Sequence, residues 1–206
     1  MMITKNDIKH NFGTKCHNIV ELFKNTNKLS TFMTKLEKQS LKDPDRYSIN
    51  DYLGDGFEFL MEIFIKTHAY DNRIGITDYQ PIQMNDHGVD GIGFNFLKEK
   101  CVIQHKYRAN SNTLLTANED HLSNMITDAI FTQGVKFDKE NPPKVPVFYV
   151  FTTAKGLHYF TDNEMFKNHV KCFGYDDLRL MLQDNMPFWD LCREIANDFA
   201  PTKNNI

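Results

Sequence analysis

The chain has 206 residues, 41% of them hydrophobic and 25% charged, with a net charge of −3. That length suits one core of ordinary size, and the composition excludes a disordered chain. The slight acidity excludes a protein that coats nucleic acid by bulk charge, while leaving room for a local basic groove.

No run approaches the ~18 apolar residues of a membrane helix, and "MMITKNDIKHNF" holds no apolar signal core, so a cytoplasmic protein with no membrane partner is expected. The cysteines at 16, 101, 172 and 192 form no C-x-x-C pair, which points to reduced, mostly buried thiols. Residues 1–50 are lysine-rich, with apolar residues at helical spacing in "CHNIVELF" and "LSTFMTKLEKQ". They read as an N-terminal helical extension of two amphipathic helices, closed by the breaker "KDPDRYS".

Residues 51–206 are expected to form an α/β core with C-terminal helices, the whole being a single domain. "GDGFEFLMEIFIKTHAY" reads as a buried helix with Asp55 as N-cap, apolar almost all round, whose one polar stripe carries Glu58 and Glu62. "VDGIGFNF" and "KCVIQHKYR" read as an antiparallel hairpin turning near Lys98 and Glu99. "LLTANEDHLSNMITDAIFTQG" ends in a helix, and "VPVFYVFTTA" is a strand buried on both faces, so a crossover onto the same sheet is expected. "TDNEMFKNHV" reads as a helix and "KCFG" as a short edge strand; "YDDLRLMLQ" and "PFWDLCREIANDF" read as closing helices, with Trp189 in the core. The predicted architecture is a mixed sheet with helices on both sides.

On the strand "KCVIQHKYR", Gln104 and Lys106 share a face with Val102 and Arg108, while Cys101, Ile103, His105 and Tyr107 share the other. The expected hairpin register sets Asp90 directly opposite Lys106 and diagonal to Gln104. Registers of the same parity keep Asp90 on that face; a slip of one residue moves it to the other. Gly88, Gly91 and Gly93 permit a bend or the close approach of another backbone. Asp90 and Gln104 offer hard oxygen ligands suited to Mg²⁺, and Glu58 could add an oxygen directly or through water. Lys106 would hold or polarise an attacking water, a set that fits metal-assisted hydrolysis of a phosphodiester.

Lys98, Lys100, Arg108, Lys155 and His158 are candidates for a phosphate-contacting groove, weighed against an ordinary solvated face. His87 lies close enough in sequence to Asp90 to touch substrate, and none of the histidines shows metal-ligand spacing.

In these motifs the chain resembles the PD-(D/E)xK nuclease superfamily, and within it is similar to the Mrr-like restriction endonuclease branch. The resemblance rests on "GDGFEFL", "HGVDGIG", "VIQHKYR" and "VFYVFTTA", in that order, over residues 54–156; "QHKYRAN…LT…EDHLSNM" is also similar to nuclease-like domains fused to helicases. It implies a restriction-endonuclease-like three-layer sandwich and a Mg²⁺-dependent DNA endonuclease, with Mn²⁺ substituting. Asp90 and Gln104 are implied as metal ligands, Lys106 as the catalytic lysine and Glu58 as the helix glutamate. An acid is more usual where Gln104 stands, which implies weaker metal binding. The alternatives are a nuclease-derived DNA-binding or adaptor module without chemistry, and a structure-selective junction resolvase or repair nuclease. DNA is the expected partner and a homodimer suits duplex cutting; the asparagine- and lysine-rich wording would suit a phage or mobile element.

Overall fold

The computed structural model describes residues 3–16, 18–42, 48–82, 88–116, 122–138, 143–158 and 169–200. His87 and the helix expected in "TDNEMFKNHV" over 161–168 lie outside them. The chain divides into two compact units, Met1–Thr67 with Arg179–Ile206, and His68–Leu178. The division therefore falls after the long buried helix and not at residue 50.

The first unit opens with a 3-10 turn, Lys5–Asp7, followed by α1 (Phe12–Lys15), α2 (Ile19–Phe23), α3 (Leu29–Ser40) and α4 (Ile49–Thr67). The chain returns to it late, through the end of α6 (Tyr175–Leu182) and through α7 (Met186–Phe199). Aromatic contacts explain why α4 belongs here: Phe59 lies 5.8 Å from Phe12 between ring centroids, and Phe64 lies 5.9 Å from Phe188. All four rings are buried, as is Trp189.

Asp55 is not the cap of α4. The helix begins six residues earlier, where Ser48 Oγ accepts the Asp51 N–H. Two glycines are carried inside it, and Gly56 has a packing reason: a Cβ there would run into Leu36 of α3 and stand 3.1 Å from the Phe12 ring. Glycine is tolerated mid-helix because close helix contact offsets its ~1 kcal/mol propensity cost.

The second unit is built on a mixed five-stranded sheet. Strands β1 (Thr77–Pro81), β2 (Gly91–Phe94) and β3 (Lys100–Lys106) are antiparallel in turn. A short strand β4 (Leu114–Leu115) and the helix α5 (Leu122–Phe131) follow. Then β5 (Phe148–Thr152) pairs parallel to β3, and after β6 (Gly156–Leu157), β7 (Val170–Phe173) pairs parallel to β5 at the edge. The sheet order is thus β1-β2-β3-β5-β7, and β4 joins β6 in a separate two-stranded parallel ladder. Every residue of β5 is buried, as its continuous apolar run predicts. Strand β1, "TDYQP", has no apolar alternation and ends in proline, which an edge strand tolerates. Among the described residues no helix is long and apolar enough to cross a membrane.

Candidate active site

The hairpin register decides which polar groups meet. Gly91 pairs with Ile103 and Phe94 with Lys100, and Asp90, immediately before β2, donates its N–H to that same Ile103 carbonyl. The parity is the expected one; the register itself is not. Asn95 accounts for the shift by closing the turn tightly. Its N–H donates to Glu99 O at 2.9 Å, and its Oδ1 accepts from the N–H groups of Leu97 and Glu99.

Asp90 is pinned from three directions. Its N–H donates to Ile103 O and its carbonyl accepts from Ile82 N–H, both at 2.9 Å. Its Oδ2 accepts the His105 backbone N–H at 2.5 Å and lies 4.0 Å from His105 Nδ1. The carboxylate thus caps β3 where β2 diverges from it. A carboxylate can do this and still ligate a metal, because its two oxygens offer about four acceptor sites. The flanking glycines serve the sheet: a Cβ on Gly91 would strike the Tyr79 ring, and one on Gly93 would stand 3.0 Å from Thr77 O. They make room for β1.

Gln104 sits in mid-sheet, in register with Val150 of β5, and is 0% exposed. Neither its Oε1 nor its Nε2 has a hydrogen-bond partner among the described residues. A buried amide left in that state costs about 1–3 kcal/mol, so a ligand or ordered water is wanted there. Lys106, at the end of β3, is of intermediate exposure and opposes Thr152.

The five candidate phosphate contacts fall into two groups. Arg108, Lys155 and His158 follow the carboxyl ends of β3 and β5, the same end as Lys106; Lys155 N–H bonds Thr113 O and His158 N–H bonds Leu115 O at the β4–β6 ladder. Arg108 turns its Nη1 onto Tyr107 O at 2.7 Å, and burial lowers its pKa. Lys98 and Lys100 lie at the other end of β3, where with Glu99, Lys136 and Asp138 they line an open pocket of about 460 Å³. The length of β3 separates the groups by roughly 20 Å at ~3.3 Å per residue.

No family model, curated protein or solved structure matches this chain.

Glu58 belongs to the first unit, on α4, and its partner there is His10, whose Nε2 lies 3.2 Å from Glu58 Oε2. His10 Nδ1 accepts the Phe12 N–H, so the neutral ring carries its proton on Nε2 and donates to Glu58. In that tautomer Nε2 has no lone pair for a metal, although ligand atoms of His10, Asp55 and Glu58 all lie within 4.8 Å of one another. Burial, and then the Glu58 charge, raise the Asp55 carboxyl above its ordinary pKa against the opposing pull of His10.

Sequence patterns do not single out Glu62 as a site residue, and they give the threonines of "VFYVFTTA" only as part of a motif, without a role. Glu62 is fully buried and accepts the backbone N–H groups of Lys9 and His10, both at 2.8 Å. The spacing of Glu62 and Lys66, i to i+4, is the available signal for their ion pair.

Proposed function

We propose that this chain is a Mg²⁺-dependent DNA endonuclease of the PD-(D/E)xK kind, with an Mrr-like D…QxK site. The observation that carries the reading is the Gln104 amide: buried, without a hydrogen-bond partner among the described residues, and one residue before the His105 N–H that the Asp90 carboxylate accepts. The mixed sheet, with its hairpin leading into the QxK strand and a parallel strand beyond, is compatible with a restriction-endonuclease-like three-layer sandwich.

Asp90 and Gln104 supply one carboxylate and one amide oxygen, a set that fits Mg²⁺, which keeps several waters and takes few protein ligands; Mn²⁺ would occupy it too. When bound, the ion supplies a water of lowered pKa and charge stabilisation on the phosphate. The Lys106 ammonium orients that water and offsets negative charge on the phosphoryl oxygens. Arg108, Lys155 and His158 surround the same end of the sheet and hold the DNA backbone by charge. Glu58 is the motif's helix glutamate, fixed by His10. Two cuts in a duplex are most simply made by a homodimer.

A second reading has its own support. Asp90 already serves as the cap of β3 and Gln104 brings no charge, which suits a nuclease-derived DNA-binding module. Supercoiled plasmid with Mg²⁺ separates the two. Wild type should nick it and Lys106→Ala should do so roughly 10²-fold more slowly, the usual loss on removing one charge-stabilising donor. Equal rates would remove Lys106 from the chemistry, and binding without cutting by either protein would favour the module.

Gln104→Glu should bind metal more tightly and be less stable when metal is absent. A carboxylate at this fully buried position costs stability, and each kcal/mol lost lowers the melting temperature by roughly 2–4 °C in a chain of this size. Mg²⁺ should restore that loss by binding the folded state. A melting curve of Gln104→Glu indifferent to Mg²⁺ would count against metal at this position.

A further inference from the structure

Thr152, the last residue of β5, and Thr153 just after it hold the backbone that carries Lys106. Lys106 O accepts from Thr152 Oγ1 at 2.7 Å and from Thr153 N–H at 3.2 Å, so both of its lone pairs are used. Thr152 Oγ1 in turn accepts the Ala154 N–H at 3.0 Å. Two residues further on, after β3 has left the sheet, Thr153 Oγ1 accepts the Arg108 N–H at 2.6 Å and donates to Arg108 O at 2.8 Å. Both threonines are 0% exposed. A parallel ladder alone would release the chain after Lys106, since the described pairing of β3 with β5 ends at Lys106 and Thr152.

We propose that Thr152 and Thr153 are positioning residues for Lys106: their hydroxyls lock the Lys106–Arg108 backbone beyond the end of the strand and so aim the lysine ammonium at the scissile phosphate. The inference rests on the reading of Lys106 as the lysine of a hydrolytic site. Its physical basis is that a lysine has a long, flexible stem rich in rotamers, so the ammonium can be placed accurately only from a fixed Cα. A hydroxyl serves where a methyl cannot, because a single oxygen both accepts an N–H and donates to a carbonyl.

The test compares Thr153→Val, Thr153→Ser and Lys106→Ala with wild type in steady-state plasmid nicking with Mg²⁺, alongside thermal melting and DNA binding in Ca²⁺. Thr153→Val should lower kcat roughly 10- to 100-fold with KM little changed, the scale of a displacement of about 1 Å at a reacting group. Thr153→Ser keeps the hydroxyl and should recover most of that rate. A role confined to folding would instead lower the melting temperature of Thr153→Val and leave kcat per folded molecule as in wild type, which overturns the inference. If Thr153→Val does not fold, the comparison passes to Thr152→Val, which removes the hydroxyl contacts to Lys106 O and Ala154 N–H and leaves those of Thr153 to Arg108; its kcat should fall in the same range, and a wild-type kcat overturns the inference. Nicking by wild type that is lost in Lys106→Ala yet equal in both valine variants removes the positioning role and leaves the nuclease reading standing. Absence of nicking by wild type removes the nuclease reading, and the positioning role with it.

Discussion

Asp90→Asn is expected to fold as the wild type does and to cut DNA roughly 10³-fold more slowly, the several kcal/mol a metal contributes converted at about 1.36 kcal/mol per tenfold. The asparagine is chosen because Asp90 does two things at once. Its Oδ2 caps β3 through the His105 N–H, and a carboxamide oxygen can still accept that bond. What asparagine removes is charge, and with it the anionic member of the proposed ligand pair. Asp90→Ala would confuse the two roles by leaving the His105 N–H without its acceptor, at about 1–3 kcal/mol. The measurement is plasmid nicking across a Mg²⁺ titration, with circular dichroism melts of both proteins. Wild-type nicking by Asp90→Asn would reduce Asp90 to a strand cap and end its assignment as a metal ligand.

Glu62→Ala is expected to cost about 3–5 kcal/mol of folding stability, the usual loss when one partner of a buried ion pair is removed. Glu62 is 0% exposed and Lys66 15%, with Nζ 2.5 Å from Oε1. The carboxylate also accepts the N–H groups of Lys9 and His10, and Lys66 Nζ reaches Asp7 O. Truncation therefore leaves two donors and an ammonium short of an acceptor in the interior of the first unit. Denaturant melts should show the loss, and Glu62→Ala with Lys66→Met should recover part of it by removing the orphaned charge. Because His10 is held through its backbone by Glu62 and through its ring by Glu58, the single variant should also disturb the Glu58 environment. A stability change below about 1 kcal/mol would show that the pair contributes no more than an exposed one.

Much of the second unit is legible in the sequence. The run "VPVFYVFTTA" is continuously apolar because β5 is buried on both faces, and "GIGF" and "KCVIQHK" flank a short turn ending in Lys98 and Glu99 because they form a hairpin. Parity along β3 is equally readable, since side chains on a strand alternate from face to face. The register itself is not: it depends on how Asn95 closes the turn with Glu99, a matter of side-chain hydrogen bonds that hydrophobic pattern does not record. Strand β1 escapes a pattern reading for the related reason that an edge strand need not alternate. The start of α4 escapes it because "GDG" resembles a cap, whereas Leu36 and Phe12 approach Gly56 closely enough to hold that glycine inside the helix.

What the sequence determined by itself was the chemical vocabulary and its order: a glutamate on a buried helix, an aspartate among glycines, Gln-x-Lys on the next strand and paired threonines on a later one. Local periodicity suffices for that, since each motif's context depends on residues within a few positions of it. Only the tertiary structure decided which groups meet. It turned the Asp90 carboxylate onto the His105 N–H, gave Glu58 a histidine partner 48 residues away in sequence, separated Lys98 and Lys100 from the other cations by the length of β3, and turned Thr152 and Thr153 onto Lys106 and Arg108. Those pairings join residues distant in sequence, and they exist because a polar atom is buried without a large penalty only where another chain segment supplies its partner.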